Sequence, residues 1–300
     1  MIRKLWPLLL LALPAWAGDW FLFASFRSNG ETGVFFSLSQ DGRQWAPLKG
    51  DQAWIKCQPA EMLLRDPFLT RGPDGTWHLL WTWHWTRAQM GGRLKIGHSS
   101  SKDLVHWTPQ KEIFLFDNVP EAGNAWAPEA SWDEQRKEWV IYWATTIKGN
   151  ADGHRLYSIT TKDWNTFTPV KLWFDPGFSA IDATLARDGK RWVMVFKDER
   201  DGQKRLLTAF ADSPQGPWRE VTQPFSGDWV EGPTVARIGN EWWIYFDHYT
   251  KPQYYGAYRT SDWKSFEDVT KLIHFPGETR HGSVVQISEE LARQLQAQRR

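Results

Sequence analysis

A short strand that carries one ionisable residue among small or apolar ones occurs five times in this chain. The runs are Arg65-Asp66-Pro67-Phe68-Leu69, Ala127-Pro128-Glu129-Ala130, Ile181-Asp182-Ala183-Thr184-Leu185, Val230-Glu231-Gly232-Pro233-Thr234-Val235 and Arg280-His281-Gly282-Ser283-Val284-Val285. They recur at a period of roughly 50 residues, the length of a four-stranded repeat. Four of the runs are followed by an aromatic strand pattern, at 77–85, 139–143, 192–196 and 242–249, and then by a polar turn ending on an aromatic residue. Residues 19–50 show an aromatic strand, a second strand and a closing turn, but no opening run; the missing run stands at the far end of the chain, at 281–287. A ring in which the last strand completes the first unit hides its sheet edges. The pattern predicts an all-β fold, a five-bladed β-propeller whose first blade is closed by the C-terminal strand.

The remaining signals narrow the class. Residues 18–300 read as one propeller domain with a short C-terminal helix from Ser288. Residues 1–17 read as a signal peptide, with Arg3 and Lys4, an apolar run from Leu5 to Pro14, and Ala15-Trp16-Ala17 fitting a small-residue cleavage site. That run is shorter than the ~20 residues a bilayer span needs. Export to the periplasm or the medium is expected, with no membrane span. A net charge of +1 offers no basic field for nucleic acid. The single cysteine, Cys57, permits no internal disulfide and reads as a small buried apolar residue. The 22 tryptophans suit packed sheets, and their number suggests that some are held at a surface to stack on a ligand.

The first strand of a propeller blade lines the central axis, so Asp66, Glu129, Asp182, Glu231 and His281 are expected around one cavity. Each alone reads as ordinary turn chemistry. Convergent carboxylates are different, because burying them costs free energy unless they are paired, hydrated or functional. Three acids around a pit suit acetal cleavage in a sugar, where a protonated carboxyl serves the leaving oxygen and an ionised one activates water. Trp126, just ahead of an inner strand, is the best candidate sugar platform; Trp83 and Phe178 are further candidate contacts. Each has packing as its alternative. Arg280 offers a planar fork to a carboxylate or a sugar hydroxyl.

Taken together, Arg65-Asp66-Pro67, Trp126-Ala127-Pro128-Glu129, Ile181-Asp182-Ala183-Thr184, Glu231-Gly232-Pro233 and Arg280-His281-Gly282-Ser283 resemble glycoside hydrolase family 43, five-bladed propellers that invert arabinofuranosides and xylosides. The resemblance runs over roughly residues 19–287. It implies Asp66 as general base, Asp182 as pKa modulator and acid-orienting group, and Glu231 as general acid. It implies substrate-binding or supporting roles for Glu129 and an axial place for His281, near a hydrated calcium in some relatives. One histidine is a poor calcium ligand set, so no cofactor is expected to be required. The function implied is cleavage of arabinofuranosidic or, next, xylosidic bonds in plant-type glycans. The alternatives are a carbohydrate-binding propeller without catalysis and a phosphorylase, which would need a basic phosphate cluster that the scattered arginines do not supply.

Overall fold

The computed structural model describes residues 20–117, 119–147 and 153–298; the segment read as a signal peptide lies outside them. Five antiparallel sheets surround one axis. The first contains β1 (Trp20–Ser25), β2 (Phe35–Ser39) and β3 (Ala46–Pro47). The second runs β4 (Arg65–Arg71), β5 (Trp77–Thr82), β6 (Lys95–Ser101) and β7 (Lys111–Phe114). The third runs β8 (Trp126–Asp133), β9 (Glu138–Thr146), β10 (His154–Thr161) and β11 (Lys171–Phe174). The fourth contains β12 (Ala180–Asp188), β13 (Arg191–Asp198) and β14 (Arg205–Ala211). The fifth runs β15 (Val230–Ile238), β16 (Glu241–His248), β17 (Tyr254–Thr260) and β18 (Glu267–Asp268). The last strand, β19 (Gly282–Ile287), pairs with β1 from Trp20↔Ile287 to Ser25↔Gly282 and closes the ring. An α-helix, α1 (Glu289–Ala297), follows; Ser288 caps it by accepting the Leu291 amide, and Ala292 and Leu295 are buried.

The repeat's chemistry explains its strands and turns. Aromatic and β-branched residues such as Trp139-Val140-Ile141-Tyr142-Trp143 fill the space between blades, where both faces of a strand are covered. The blade closures share one device. Asp41, Asp103, Asp163 and Asp262 each accept two backbone amides two and three residues ahead, at 2.7–3.0 Å. The fourth blade departs from the expected four strands. Beyond β14 the chain makes a single bridge, Phe210↔Arg219, and the segment carries Pro214, Pro217 and Pro224, which cannot donate to a ladder.

The inner strands carry the feature that builds the site. In β4, β8, β12 and β15 the register slips by one residue, between Arg65 and Phe68, Trp126 and Glu129, Ile181 and Thr184, and Glu231 and Thr234. Each slip is a β-bulge with its extra residue at positive φ: Asp66 at 50°, Ala127 at 47°, Asp182 at 53° and Gly232 at 56°. Alternation along a regular strand would send neighbouring side chains to opposite faces. The bulge instead lets two consecutive side chains face the same cavity. It also corrects the expected equivalence of the five ionisable residues. Glu231 is in register with Arg65, Trp126 and Ile181; Asp66 and Asp182 match Ala127 and Gly232; Glu129 matches Phe68, Thr184 and Thr234. The acids occupy three levels of the axis.

Candidate active site

A cavity of about 370 Å³ opens at the end of the axis where the bulges lie. Its walls are the paired bulge residues Arg65 and Asp66, and Ile181 and Asp182, with Arg280 and His281 just ahead of β19, together with Glu231 and Trp126. Ser28, Asn29, Thr82, Trp85, Glu199 and Tyr249 complete the lining.

Asp66 is held at the second level. Its Oδ2 accepts the Thr82 hydroxyl at 2.7 Å, and its Oδ1 lies 3.4 Å from His281 Nδ1. Burial alone would raise this carboxyl. The hydrogen bond and charge of His281, with Arg65 and Thr82, outweigh burial and hold Asp66 well below the usual carboxylate range. The reverse holds for its partner: burial would lower the His281 imidazole, but Asp66, Asp182 and Glu231 push it up to about 9. At neutral pH the axis therefore carries an imidazolium against an ionised Asp66.

Glu231 stands one level nearer the opening. Its Oε2 receives Lys197 Nζ at 3.1 Å and its Oε1 receives Arg280 Nη2 at 3.3 Å. Burial is nevertheless the largest influence; with the nearby Asp182 and Asp247 carboxylates it pushes Glu231 up to about 7, against the pull of Lys197 and His281. The charge around Lys197 raises its own pKa, so the two partners pull in opposite directions. The upward direction for Glu231 follows from its burial first, and then from the neighbouring Asp182 and Asp247 carboxylates. Asp182 is also raised, by burial first and then by Asp66, despite His281 and Lys197. Its Oδ2 accepts the Gly232 amide at 3.0 Å, which fixes the backbone next to Glu231.

The second strands pass contacts from blade to blade. Thr82 bonds Asp66 and also accepts the Ala127 amide of the next blade at 2.8 Å. Lys197 reaches from the fourth blade to Glu231 in the fifth. Asp247 reaches from the fifth blade to the first, taking Arg280 Nε at 2.6 Å and the His281 amide at 3.3 Å. Thr82, Lys197 and Asp247 pair across the ladder with Arg65, Ile181 and Glu231, so the same position does this work in three of the five blades.

Of the residues singled out from sequence, Asp66, Asp182, Glu231, Trp126, Arg280 and His281 line the cavity. Three stand elsewhere. Trp83 is buried in the core beside Trp81, with Lys95 over its ring; β5 ends at Thr82, so Trp83 lies just beyond the strand and turns into the core. Trp85 lines the cavity instead, with the Arg65 guanidinium 3.8 Å above its ring. Phe178 packs on Phe196 beneath the Arg200 guanidinium, behind the wall. Glu129 lies one level deeper, where Tyr142 donates to it at 3.1 Å and burial pushes it up to about 8, leaving it neutral at pH 7. Sequence reading missed Lys197, Glu199, Asp247 and Tyr249. Their signal was the charged or polar end of an aromatic strand, Lys197-Asp198-Glu199 and Asp247-His248-Tyr249.

Comparison with known proteins bears on this geometry. Residues 19–292 match the model of the glycosyl hydrolase 43-related family, described as a probable glycosyl hydrolase domain. The chain belongs to that family. A segment of 163 residues is 29% identical to an α-L-arabinofuranosidase of Bifidobacterium longum subsp. longum; it is 46% of this chain and 15% of that protein, so the chain matches only a small part of its relative. Among solved structures, an α-L-arabinofuranosidase from Lactobacillus brevis is similar with a TM-score of 0.54 and 19% identity, over 70% of this chain and 73% of that one. An exo-β-1,3-galactanase from Phanerochaete chrysosporium gives a TM-score of 0.54 and 12% identity, over 68% of this chain and 49% of that one. At those identities the likeness is one of fold.

Proposed function

We propose that this protein is an exported glycosidase that removes arabinofuranosyl units from a glycan with inversion, using Glu231 as acid and Asp66 as base. The observation that carries the reading is the opposed ionisation of two carboxyls lining one cavity: Asp66 stays ionised, while Glu231 is pushed up to about 7 and holds a proton into the neutral range. As the glycosidic bond breaks, the Glu231 proton passes to the leaving oxygen. Water attacks the anomeric carbon from the opposite face and gives its proton to Asp66, so one water adds across the bond and both carboxyls are reset by exchange with solvent. Asp182 raises Glu231 by its charge and holds the Gly232 amide. Arg280 and Lys197 fix the acid's orientation. Trp126, its indole N–H tied to the Trp85 carbonyl at 2.8 Å, supplies a wall for the sugar ring. The arabinose assignment draws on the Bifidobacterium relative; export draws on residues 1–17.

The test is sugar release from arabinans, arabinoxylans, xylo-oligosaccharides and galactans, with the anomer formed read by NMR. Glu231→Gln is expected to lose at least ~100-fold on these glycans, the scale of general acid catalysis, and far less on activated aryl glycosides. Equal loss on both removes Glu231 as the acid. A retained anomeric configuration overturns the inverting mechanism, and binding without release by the wild-type protein favours a carbohydrate-binding propeller.

A further inference from the structure

In the proposed reaction the cavity holds one sugar unit between Asp66 and Glu231, and the unit that leaves lies outside it. Glu231 stands towards the opening, so the leaving unit meets the protein at the end of the fifth blade. Trp229 is the residue exposed there. It precedes Glu231 by two positions, which is at most roughly 7 Å of chain further out. It is 47% exposed and is the only exposed tryptophan among the described residues. Single exposed apolar side chains are ordinary on a protein surface, but the setting of this one differs in three ways.

Its backbone is strained for a bulky residue, with φ at +62°. Trp164 and Trp263 adopt the same conformation, at 58° and 60°, but each buries its indole in the core. Trp229 recovers no such burial, so the strain holds an open ring at the mouth of the site. Its orientation is set from the site itself. Tyr249 donates its amide to the Trp229 carbonyl at 3.3 Å and meets the indole edge-on, with centroids 6.0 Å apart and planes at 74°. Tyr249 lines the cavity, and Lys197 Nζ, 4.5 Å from its ring centroid, also holds Glu231 at 3.1 Å. One lysine therefore ties the acid to the aromatic pair. Exposed rings also continue outward from this point. Val230, His248 and Tyr254 are neighbours across β15, β16 and β17, and the Tyr254 ring, 41% exposed, stacks on His248 at 4.4 Å. The remaining exposed aromatic among the described residues, Phe114, is covered by the Arg93 guanidinium at 3.6 Å. Open flat faces leading away from an acid suit a ligand that presents apolar C–H faces ringed by hydroxyls, which is what a chain of sugar rings offers.

We propose that Trp229 is the platform of a leaving-side subsite: the sugar unit that departs from the bond under Glu231 lies with its C–H face on this indole, and the glycan continues outward over the fifth blade. Which end of the glycan lies there rests on the proposed function. The test compares kcat/KM on an oligosaccharide that the wild type cleaves with kcat/KM on the methyl glycoside of the same released sugar. The first places a sugar ring on the leaving side; the second places a single carbon there. Trp229→Ala is expected to lower the ratio of the two at least tenfold, and Trp229→Phe to keep it within threefold of the wild type. A ratio is indifferent to the fraction of protein that folds. A ratio unmoved by Trp229→Ala, or lowered as much by Trp229→Phe, overturns the platform. If the wild-type protein hydrolyses no glycoside, the proposed function fails instead, and calorimetry of arabino-oligosaccharide and arabinoxylo-oligosaccharide binding to the full chain decides the platform by itself. Binding at least tenfold weaker in Trp229→Ala sustains it; binding that is unchanged, or absent from the wild type, overturns it.

Discussion

Lys197→Met is the sharpest probe of how the acid is set. Lys197 is fully buried, 3.1 Å from Glu231 Oε2 and 2.8 Å from Glu199 Oε2. A unit-charge pair at that separation is worth about 5 kcal/mol at an effective dielectric of 20 and just over about 1 kcal/mol in water. Arg280 stays within 3.3 Å of Glu231 and compensates part of the loss. A net loss of about 1.4–2.8 kcal/mol for the ionised form is a rise of about one to two pKa units. In the proposed mechanism, activity on a glycan requires protonated Glu231, so in the wild type it should fall as pH rises through about 7. In Lys197→Met that limb moves upward.

The assay is the pH dependence of kcat/KM on an oligosaccharide, compared with an activated aryl glycoside that needs no proton. The wild-type limb near 7 and its upward shift should appear on the oligosaccharide only. His281 and Asp182 also face Glu231 and titrate, and the aryl glycoside reports their share. An unmoved limb, or one that moves down, refutes the electrostatic account of the acid. The substitution also breaks a buried pair, which costs about 3–5 kcal/mol when nothing compensates. Lys204 beside Glu199 and Arg280 beside Glu231 reduce that cost, and thermal denaturation measures it.

Three further outcomes are expected. Asp66→Asn should abolish turnover on both glycans and aryl glycosides while sugar binding, measured by calorimetry, persists; substantial residual turnover moves the base elsewhere. Gly232→Ala should destabilise by more than about 2 kcal/mol in urea unfolding, because φ is +56° and the new Cβ would meet His281 Cγ at 2.3 Å. Stability should fall on both sides of neutrality: His78, lowered to about 4, leaves the unfolded chain binding more protons between pH 6.5 and 4, so its contribution is complete above 6.5 and lost as pH falls. His281, raised to about 9, contributes below 6.5 and loses that contribution as pH rises towards 9; His281→Gln should flatten the alkaline arm of a urea-midpoint series alone.

The ring was legible because the blades repeat one chemistry: an aspartate that collects two amides in four of the five, a closing aromatic, and an opening strand that the first unit lacks and the last residues supply. The levels within the axis were not legible from spacing, since a bulge adds one residue without changing the period much. The prolines held the missing signal. Aligning Pro67, Pro128 and Pro233 places Asp66 with Ala127 and Gly232, and Glu129 with Phe68 and Thr234, which is the register observed. Lys197 was invisible for a different reason. A lysine ending an apolar strand reads as a solvated terminus, and only the neighbouring blade's carboxylate explains its burial.

The offset in level has a consequence for the proposed reaction. Glu231 occupies the first bulge position, towards the opening, and Asp66 the second, towards Thr82 and the His281 imidazolium. The group that leaves with the Glu231 proton then faces solvent, and the attacking water sits deeper, beside Asp66. Below that level the axis is filled by Glu129, Thr184, Thr234 and Ser283, all buried, with Ser283 accepting the Leu69 amide and Thr234 the Val284 amide. In the proposed reaction, a cavity closed beneath the water would take one glycosyl unit from its free end, with the rest of the glycan above the opening. Release of single sugars from chain ends or side branches follows from this arrangement. Accumulation of internal fragments from a linear arabinan, seen by chromatography at early times, would contradict it.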